Sequence, residues 1–418
     1  MAKALQLLKQ DENILIVCHS IFSSKIFCEK MQQFCATLQK MSCLGKLESC
    51  QEKSNSNCCE KRNVEFHPGD MRGIYPSNFF DALIQRKPNY SLVLDEVSHS
   101  SFRHLRREAK KVRSVVCVIS ADSMKHMKPK DFQGFKVIKL TSNMRNTGQI
   151  YNAVKSLSAE NFKDVQTSTV RGIKPEFVCI RPKDVILGLT EALQALRSTN
   201  KYVIILLRHY RRDESRYNSV LEAVLTEVNP DVPVLYAKNP TDRQRFLSDN
   251  QPTGCLIAEL TEFRGMEAKC VIVLDTHDFT SKIFFSSGHS DNMLLRATNQ
   301  LIIVSIFGIC IAAARRPDLW HWRIPYNNLH SQDYQTLLDE MKRNGERKGI
   351  VIDIETIKQG TAGYKMSSIV RSSMIEIQKK LKLLYQKEKQ QQPQGDPNNY
   401  FSYSNHISRI EQLTKDAG

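Results

Sequence analysis

The chain has 418 residues, of which 60 are Lys or Arg and 44 are Asp or Glu, giving a formal charge of +16 with 41% hydrophobic content. That length allows two or three domains, each with its own core, and the charge suits a polyanionic partner such as DNA or RNA. The longest apolar run, Leu301 to Ala314 before Arg315-Arg316, is shorter than the roughly 20 residues of a membrane helix, which excludes a membrane role and places the protein in the cytoplasm or nucleus.

The 12 Cys are spaced irregularly, with no CxxC, and seven fall between Cys18 and Cys59. A disulfide scaffold is a feature of short secreted chains, and zinc sites repeat a short gap twice. Reduced, mostly buried thiols are expected.

In chain order, Met1 to Gln10 reads as the tail of an amphipathic helix, and Ile14–Val17 as a strand closed by Cys18-His19-Ser20. Ser49 to Asn63, followed by His67-Pro68-Gly69-Asp70, shows no periodicity and reads as a mobile loop or insertion. Ser91–Leu94 and Val115–Ile119 are two further strands, each with polar residues at the carboxyl end, where ligands gather in open parallel sheets. These elements form a first block, residues 1–139.

A second block, residues 140–314, carries strand-like runs at Glu176–Ile180, Tyr202–Leu207, Val232–Tyr236, Cys255–Glu259, Val271–Asp275 and Leu301–Val304. Helical stretches at Asp184–Arg197 and Ser215–Val228 separate several of them. Such alternation predicts right-handed crossovers and a doubly wound sheet. Leu301 to Ala314 reads as a buried strand running into a short packed segment.

Residues 315–418 change character. Trp320 and Trp322 are either base-stacking platforms or, as preferred here, anchors packing this extension onto the second block. Met366 to Gln392 is a Lys-, Gln- and Leu-rich helix running into QQQPQGDPNN, a stop and linker. Tyr400 to Gly418 is a short helix or disordered, and the extension is a candidate surface for a protein partner. The fold class is therefore α/β: two parallel-sheet lobes, the first incomplete at its amino end, plus a helical, partly disordered C-terminal tail.

The chemistry begins at Asp95-Glu96. A carboxylate at a buried strand end can hold Mg²⁺ through water, and its neighbour can orient or deprotonate an attacking water. Asp95 is thus the metal candidate and Glu96 the general base. The bland alternative is an Asp-Glu turn at the end of any strand. A working nucleotidase of this kind also needs a glycine-rich loop with a Lys to cradle the phosphates. No GxxxxGK[ST] occurs in the sequence.

Further segments follow in a telling order. They are Asn13 to Met31, Val116 to Asp122, Leu140-Thr141-Ser142-Asn143-Met144-Arg145-Asn146-Thr147, Thr261-Glu262-Phe263-Arg264-Gly265-Met266-Glu267 with the strand Val271–Asp275, and Leu295-Arg296-Ala297 ahead of Leu301–Val304. With Leu94-Asp95-Glu96-Val97, this series resembles the two-lobed, RecA-like motor core of superfamily one helicases, the group of UvrD- and Rep-like enzymes, over about residues 1–305. The resemblance implies ATP and Mg²⁺ as cofactors and single-stranded DNA or RNA as partner. It further implies that Arg145 and Arg296 are aimed at the γ-phosphate, that Asp122 ends a nucleotide-site strand, that Gly265 allows close backbone approach, and that Glu267 touches the nucleotide sugar. The bland alternatives are a surface arginine at a helix start for Arg145 and an acidic neighbour's partner for Arg296.

The departures are specific. The family's Gln after Asp122 is replaced by Ser123-Met124-Lys125, its Tyr before Arg145 by Met144, its Lys before Gly265 by Arg264, and its Thr before Arg296 by Leu295. Two explanations compete for the missing phosphate loop: a chain beginning downstream of it, which is favoured, and a degenerate relative used for binding or regulation. The expected function is a helicase-like, nucleic-acid-dependent ATPase core, inactive as written. The alternative is a non-catalytic helicase-like module in signalling or defence, as in Schlafen-type proteins. The candidate polyanion surfaces are Arg103 to Arg107, Lys110 to Arg113 and Arg208 to Arg212, with a solvated helix face as the rival reading.

Overall fold

The computed structural model describes residues 14–18, 64–68, 91–97, 99–119, 127–138, 143, 145–157, 166–167, 169–180, 184–196, 201–206, 214–247, 254–259, 267–275, 294–324, 332–351, 368–391 and 403–416. The opening helix at Met1 to Gln10, Asp122, Arg208 to Arg212 and Gly265 lie outside them. The chain divides into two compact units, one holding residues 1–139 with 264–266, the other residues 140–263 and 267–418.

The first unit is built on a parallel sheet of β1 (Ile14–Cys18), β2 (Val64–Pro68), β3 (Ser91–Val97) and β4 (Ser114–Ile119), in the order β2-β1-β3-β4. The loop expected through His67-Pro68 is corrected at its start. Val64–Pro68 pairs in register with β1 from Ile14↔Val64 to Cys18↔Pro68. A five-residue strand closed by Pro is too short to announce itself by periodicity, and proline is compatible with the edge strand that β2 forms.

In β3, Ser91 through Leu94 and Val97 are buried, as expected of a strand inside a parallel sheet. Helix α1 (His99–Glu108) follows and inserts Phe102 and Leu105 against Leu92, Leu94 and Val97. Phe132 and Phe135, from the segment after β4, close over Phe102 with ring centroids 5.6 and 5.2 Å away. Burying these side chains contributes about 1.5–3 kcal/mol each.

The second unit holds a seven-stranded sheet. Its strands are β5 (Glu176–Ile180), β6 (Lys201–Leu206), β7 (Val234–Tyr236), β8 (Gly254–Glu259), β9 (Ala268–Asp275), β10 (Ala297–Ile306) and β11 (His321–Arg323). Their order is β11-β5-β10-β9-β6-β8-β7, and every pairing is parallel. The helices are α2 (Gly148–Leu157), α3 (Val185–Ala195), α4 (Glu214–Val228), α5 (Pro240–Leu247), α6 (Phe307–Ala313), α7 (Gln332–Arg347), α8 (Ser368–Gln391) and α9 (Tyr403–Asp416).

Side chains alternate between the two faces of each strand. One face, with Val178, Ile180, Ile257, Ile272, Leu274, Ile302 and Val304, packs in a single cluster with α3, α4, α8 and α9. The last residues of the chain therefore belong to this core: Val370, Met374, Ile377 and Leu381 of α8 and Tyr403, Ile410 and Leu413 of α9 are all buried in it. The buried Asp184 just before α3 pairs with Arg409 of α9, which fixes the final helix. Helix α3 rides so close to the sheet at Gly188 that a Cβ there would stand 2.7 Å from Ile180 and 2.8 Å from Val304.

The opposite face carries Phe177 and Cys179. Phe177 meets Trp320 edge-on and Trp322 at a tilt, both at 5.2 Å between centroids. Both tryptophans are buried, and the Trp322 indole N–H donates to the Pro317 carbonyl at 3.1 Å. They act as anchors rather than as an open stacking platform.

Cys179 and Cys310 are joined in a disulfide, which corrects the expectation of reduced thiols for this pair. They are 131 residues apart in sequence, so only the pairing of β5 with β10, which carries α6 behind it, brings them together. Cys117 and Cys270 are free thiols. Among the described residues, no helix is long and apolar enough to cross a membrane.

Candidate functional site

Three segments distant in sequence meet at the amino edge of the second unit's sheet. Glu267 immediately precedes β9 and Arg296 immediately precedes β10, and the two strands run side by side. The Ala268 amide donates to the Arg296 carbonyl at 3.0 Å, locking the two strand entries together. The third segment is the turn before α2. There the Asn143 side-chain oxygen accepts from the amides of Arg145 at 3.1 Å and Asn146 at 3.4 Å, the local turn that short Asx side chains make with their own backbone.

Asn146 fixes that turn to the sheet. It is buried, and its amide nitrogen donates to the carbonyls of Leu295 at 2.7 Å and Ala297 at 2.6 Å, on either side of Arg296. The turn thus delivers Arg145 beside Glu267, with Nε 2.6 Å from Oε1. Arg145 and Glu267 are 43% and 37% exposed, so the pair is open to solvent, whereas Arg296 is buried. The Arg145 guanidinium and the Glu267 carboxylate neutralise one another at this edge, which the Arg296 backbone shares.

The backbones of Arg145, Glu267 and Arg296 are therefore brought to one edge, and Arg145 is a half-exposed arginine at the start of a helix and pairs with Glu267. Asn143 and Asn146 are the positioning residues that motif reading passed over. The signal was present as a short amide on each side of Arg145.

On the first unit, Asp95 and Glu96 occupy the carboxyl end of β3, beyond the last pairing of that strand with β1, Val17↔Leu94. The register with β4 jumps there from Leu94↔Cys117 to Val97↔Ile119, so β3 carries an extra residue across Asp95-Glu96. Bulges of this kind re-aim side chains and end pairing next to functional sites. Among the described residues no group of three or more His, Cys, Asp or Glu gathers for a metal. Mg²⁺ asks for less, since one or two carboxylates serve when waters and substrate phosphates complete its shell. A single carboxylate at a strand end fits that demand.

The candidate basic surface of the first unit is divided between a helix and the turn that follows it. Helix α1 ends at Glu108, and Lys110 lies in a 3₁₀ turn, Ala109–Lys111. Arg103 faces the buried Asp131 at 3.6 Å, while Arg107 and Lys110 are exposed.

No protein-family model matches the chain, and no curated protein matches it. Among solved structures it is similar to the Mycobacterium smegmatis helicase Lhr bound to ssDNA and AMP-PNP, with 9% identity and a TM-score of 0.43 over 80% of this chain. It spans about half of that helicase, 48% of its chain. It is similar also to Mss116p (NTE and C-tail double deletion) bound to ssRNA and AMP-PNP, with 12% identity and a TM-score of 0.42, over 90% of this chain and 78% of that one. A third is S. cerevisiae dbp5 l327v bound to gle1 h337r and ip6, with 12% identity and a TM-score of 0.36, over 84% of this chain and 80% of that one.

Proposed function

We propose that the chain is a nucleic-acid-binding, helicase-like ATPase core of the superfamily one kind. The observation that carries this reading is the meeting of Arg145, Glu267 and Arg296 at one sheet edge, held by Asn146. The three segments are those that resemble separate helicase motifs, and strand pairing together with the Asn146 amide brings them to one edge. In this reading Arg145 and Arg296 stabilise charge on a transferring phosphoryl group, and Glu267 with Gly265 borders the nucleotide. Asp95 holds Mg²⁺, Glu96 orients the attacking water, and Asp122 lies at the end of a neighbouring strand. Bound Mg²⁺ would neutralise phosphate charge. The partner is single-stranded DNA or RNA, met through the basic surfaces.

A second reading has its own support. The sequence holds no GxxxxGK[ST], and Arg145 is already neutralised by Glu267. In that case the same fold binds nucleic acid, or a protein partner through its C-terminal helices, without hydrolysis, as a signalling or defence module.

One experiment separates them. ATP hydrolysis is measured with and without single strands, for the chain alone and for the chain joined ahead of Met1 to a segment carrying a phosphate loop. Stimulated hydrolysis in the joined protein, lost in Glu96→Gln, supports the ATPase core. No hydrolysis in either, with strand binding retained, supports the non-catalytic module. Hydrolysis that survives Glu96→Gln would mean that the site lies elsewhere.

A further inference from the structure

The second unit carries a groove that none of the helicase-like motifs uses. Its volume is about 290 Å³, and it is lined by Gln149 and Asn152 of α2, Thr169, Arg171 and Lys174 of the segment entering β5, and Leu319. The walls are tied together by the chain itself. The Gly148 amide donates to the Val170 carbonyl at 2.8 Å, and the Gly172 amide donates to the Gln149 side-chain oxygen at 2.8 Å. A Cβ on Gly172 would run into the Thr147 side chain, so the segment lies flush against the start of α2. This groove is a fixed surface feature rather than a gap between loose loops.

Its charge is one-sided. Arg171 and Lys174 are exposed on the wall. Beside Leu319, Asp318 is clamped by Arg316 through two hydrogen bonds of 2.9 and 2.7 Å, so that carboxylate is already neutralised. The Arg316 partnership, with Lys174 adding to it, holds the Asp318 carboxyl below the usual range despite partial burial. Lys348 lies in the same neighbourhood. Its ammonium is held below its usual range by partial loss of water and by Arg316 and Arg315, against the opposing pull of Asp318. Lys348 thus stands near Arg315 and Arg316, close enough for these cations to disfavour one another. Phosphate oxygens relieve that repulsion. The neutral lining of Gln149, Asn152 and Thr169 supplies further hydrogen-bonding groups for phosphate or sugar.

We propose that this groove holds the phosphate backbone of a single-stranded nucleic acid, with Arg171 and Lys174 as the contacting cations and the exposed Arg315 and Lys348 extending the track. An open recess lined by two cations suits the backbone of a strand. The assignment deepens the nucleic-acid reading given above and rests on it.

The test is fluorescence anisotropy of a labelled oligo(dT) and oligo(U) with the full chain, titrated over a salt series. The wild type is compared with Arg171→Ala/Lys174→Ala and with Arg103→Ala/Arg107→Ala on the first unit. Each released single-strand contact adds about 0.7 to the slope of log K against log salt. The groove variant should lower that slope by about 1.4 and weaken binding about 25-fold at 0.1 M salt. Its thermal unfolding should be unchanged, since both side chains are exposed. A second readout is photocrosslinking of 4-thiouridine-labelled strand, with adducts expected in residues 148–174. Wild-type binding that the groove variant retains with an unchanged slope overturns the groove and leaves the nucleic-acid reading standing. No binding by the wild type at low salt overturns both.

Discussion

Arg145 Nε stands 2.6 Å from Glu267 Oε1, a pair made by a turn before one helix and the residue that opens a distant strand. Two side chains for which the helicase resemblance implies nucleotide contact thus hold one another in the structure. A nucleotide arriving at this edge would compete with Glu267 for the Arg145 guanidinium.

That competition separates stability from activity. Both partners are more than a third exposed, so the pair contributes roughly 0–1 kcal/mol to folding. Arg145→Ala should shift the denaturant midpoint by no more than that amount. In a chain that hydrolyses ATP it should lower turnover by about 10³-fold, the order expected for an arginine facing the transferring phosphate. A large stability loss with proportionate activity loss would make Arg145 structural.

Asn146 should behave in the opposite way. Its side chain is buried and bridges the carbonyls flanking Arg296, so Asn146→Ala removes two hydrogen bonds in a place water does not reach. The expected cost is about 1–3 kcal/mol in urea unfolding. Unchanged stability would show that the turn and the strand are not coupled through this amide.

Gly188 tests the approach of α3 to the sheet. Gly188→Ala inserts a Cβ 2.7 Å from Ile180 and 2.8 Å from Val304, so one of these must shift. Overpacking of this kind costs about 1–3 kcal/mol, which outweighs the gain in helix propensity of roughly 1 kcal/mol. A stabilised variant, read by thermal unfolding, would show that the helix has room to move.

Two buried titratable groups give stability opposite pH dependences. Burial holds the His406 imidazole at about 4, below its ordinary 6.5. The unfolded chain therefore binds its proton first, and the stability favoured by neutral His406 is whole above 6.5 and lost as the pH falls towards 4. Burial pushes the Glu191 carboxyl up to about 8 although Arg323 pulls it down, so its contribution is whole below 4.5 and lost as the pH rises towards 8. Glu191→Gln should raise stability at pH 8 by about 4 kcal/mol relative to its effect at pH 4. His406→Gln should flatten the acid limb. Thermal unfolding across that range checks both.

The strands of the second unit were legible because parallel strands buried on both faces read as continuous apolar runs. Glu176–Ile180 is found as expected, and β10 extends the expected Leu301–Val304 at both ends. What escaped was short or non-local. β11 has three residues and exists through its pairing with β5, so its sequence shows two tryptophans and no period. Helix α7 carries its apolar face at Tyr334, Leu337, Leu338 and Met341 within a strongly polar stretch. At the site, Arg145, Glu267 and Arg296 were visible as motif letters, but Asn146 acts through carbonyls about 150 residues away, a relation no local pattern encodes.

The bond between Cys179 and Cys310 encloses β5 through β10 in a covalent ring, since its two ends lie in β5 and in the helix that follows β10. Pulled from its two ends, the oxidised chain cannot pay out the 131 residues between them. At about 3.4 Å per residue, that withholds roughly 450 Å of contour length. The strands that Glu267 and Arg296 precede therefore lie within a loop that force cannot lengthen while the bond is intact.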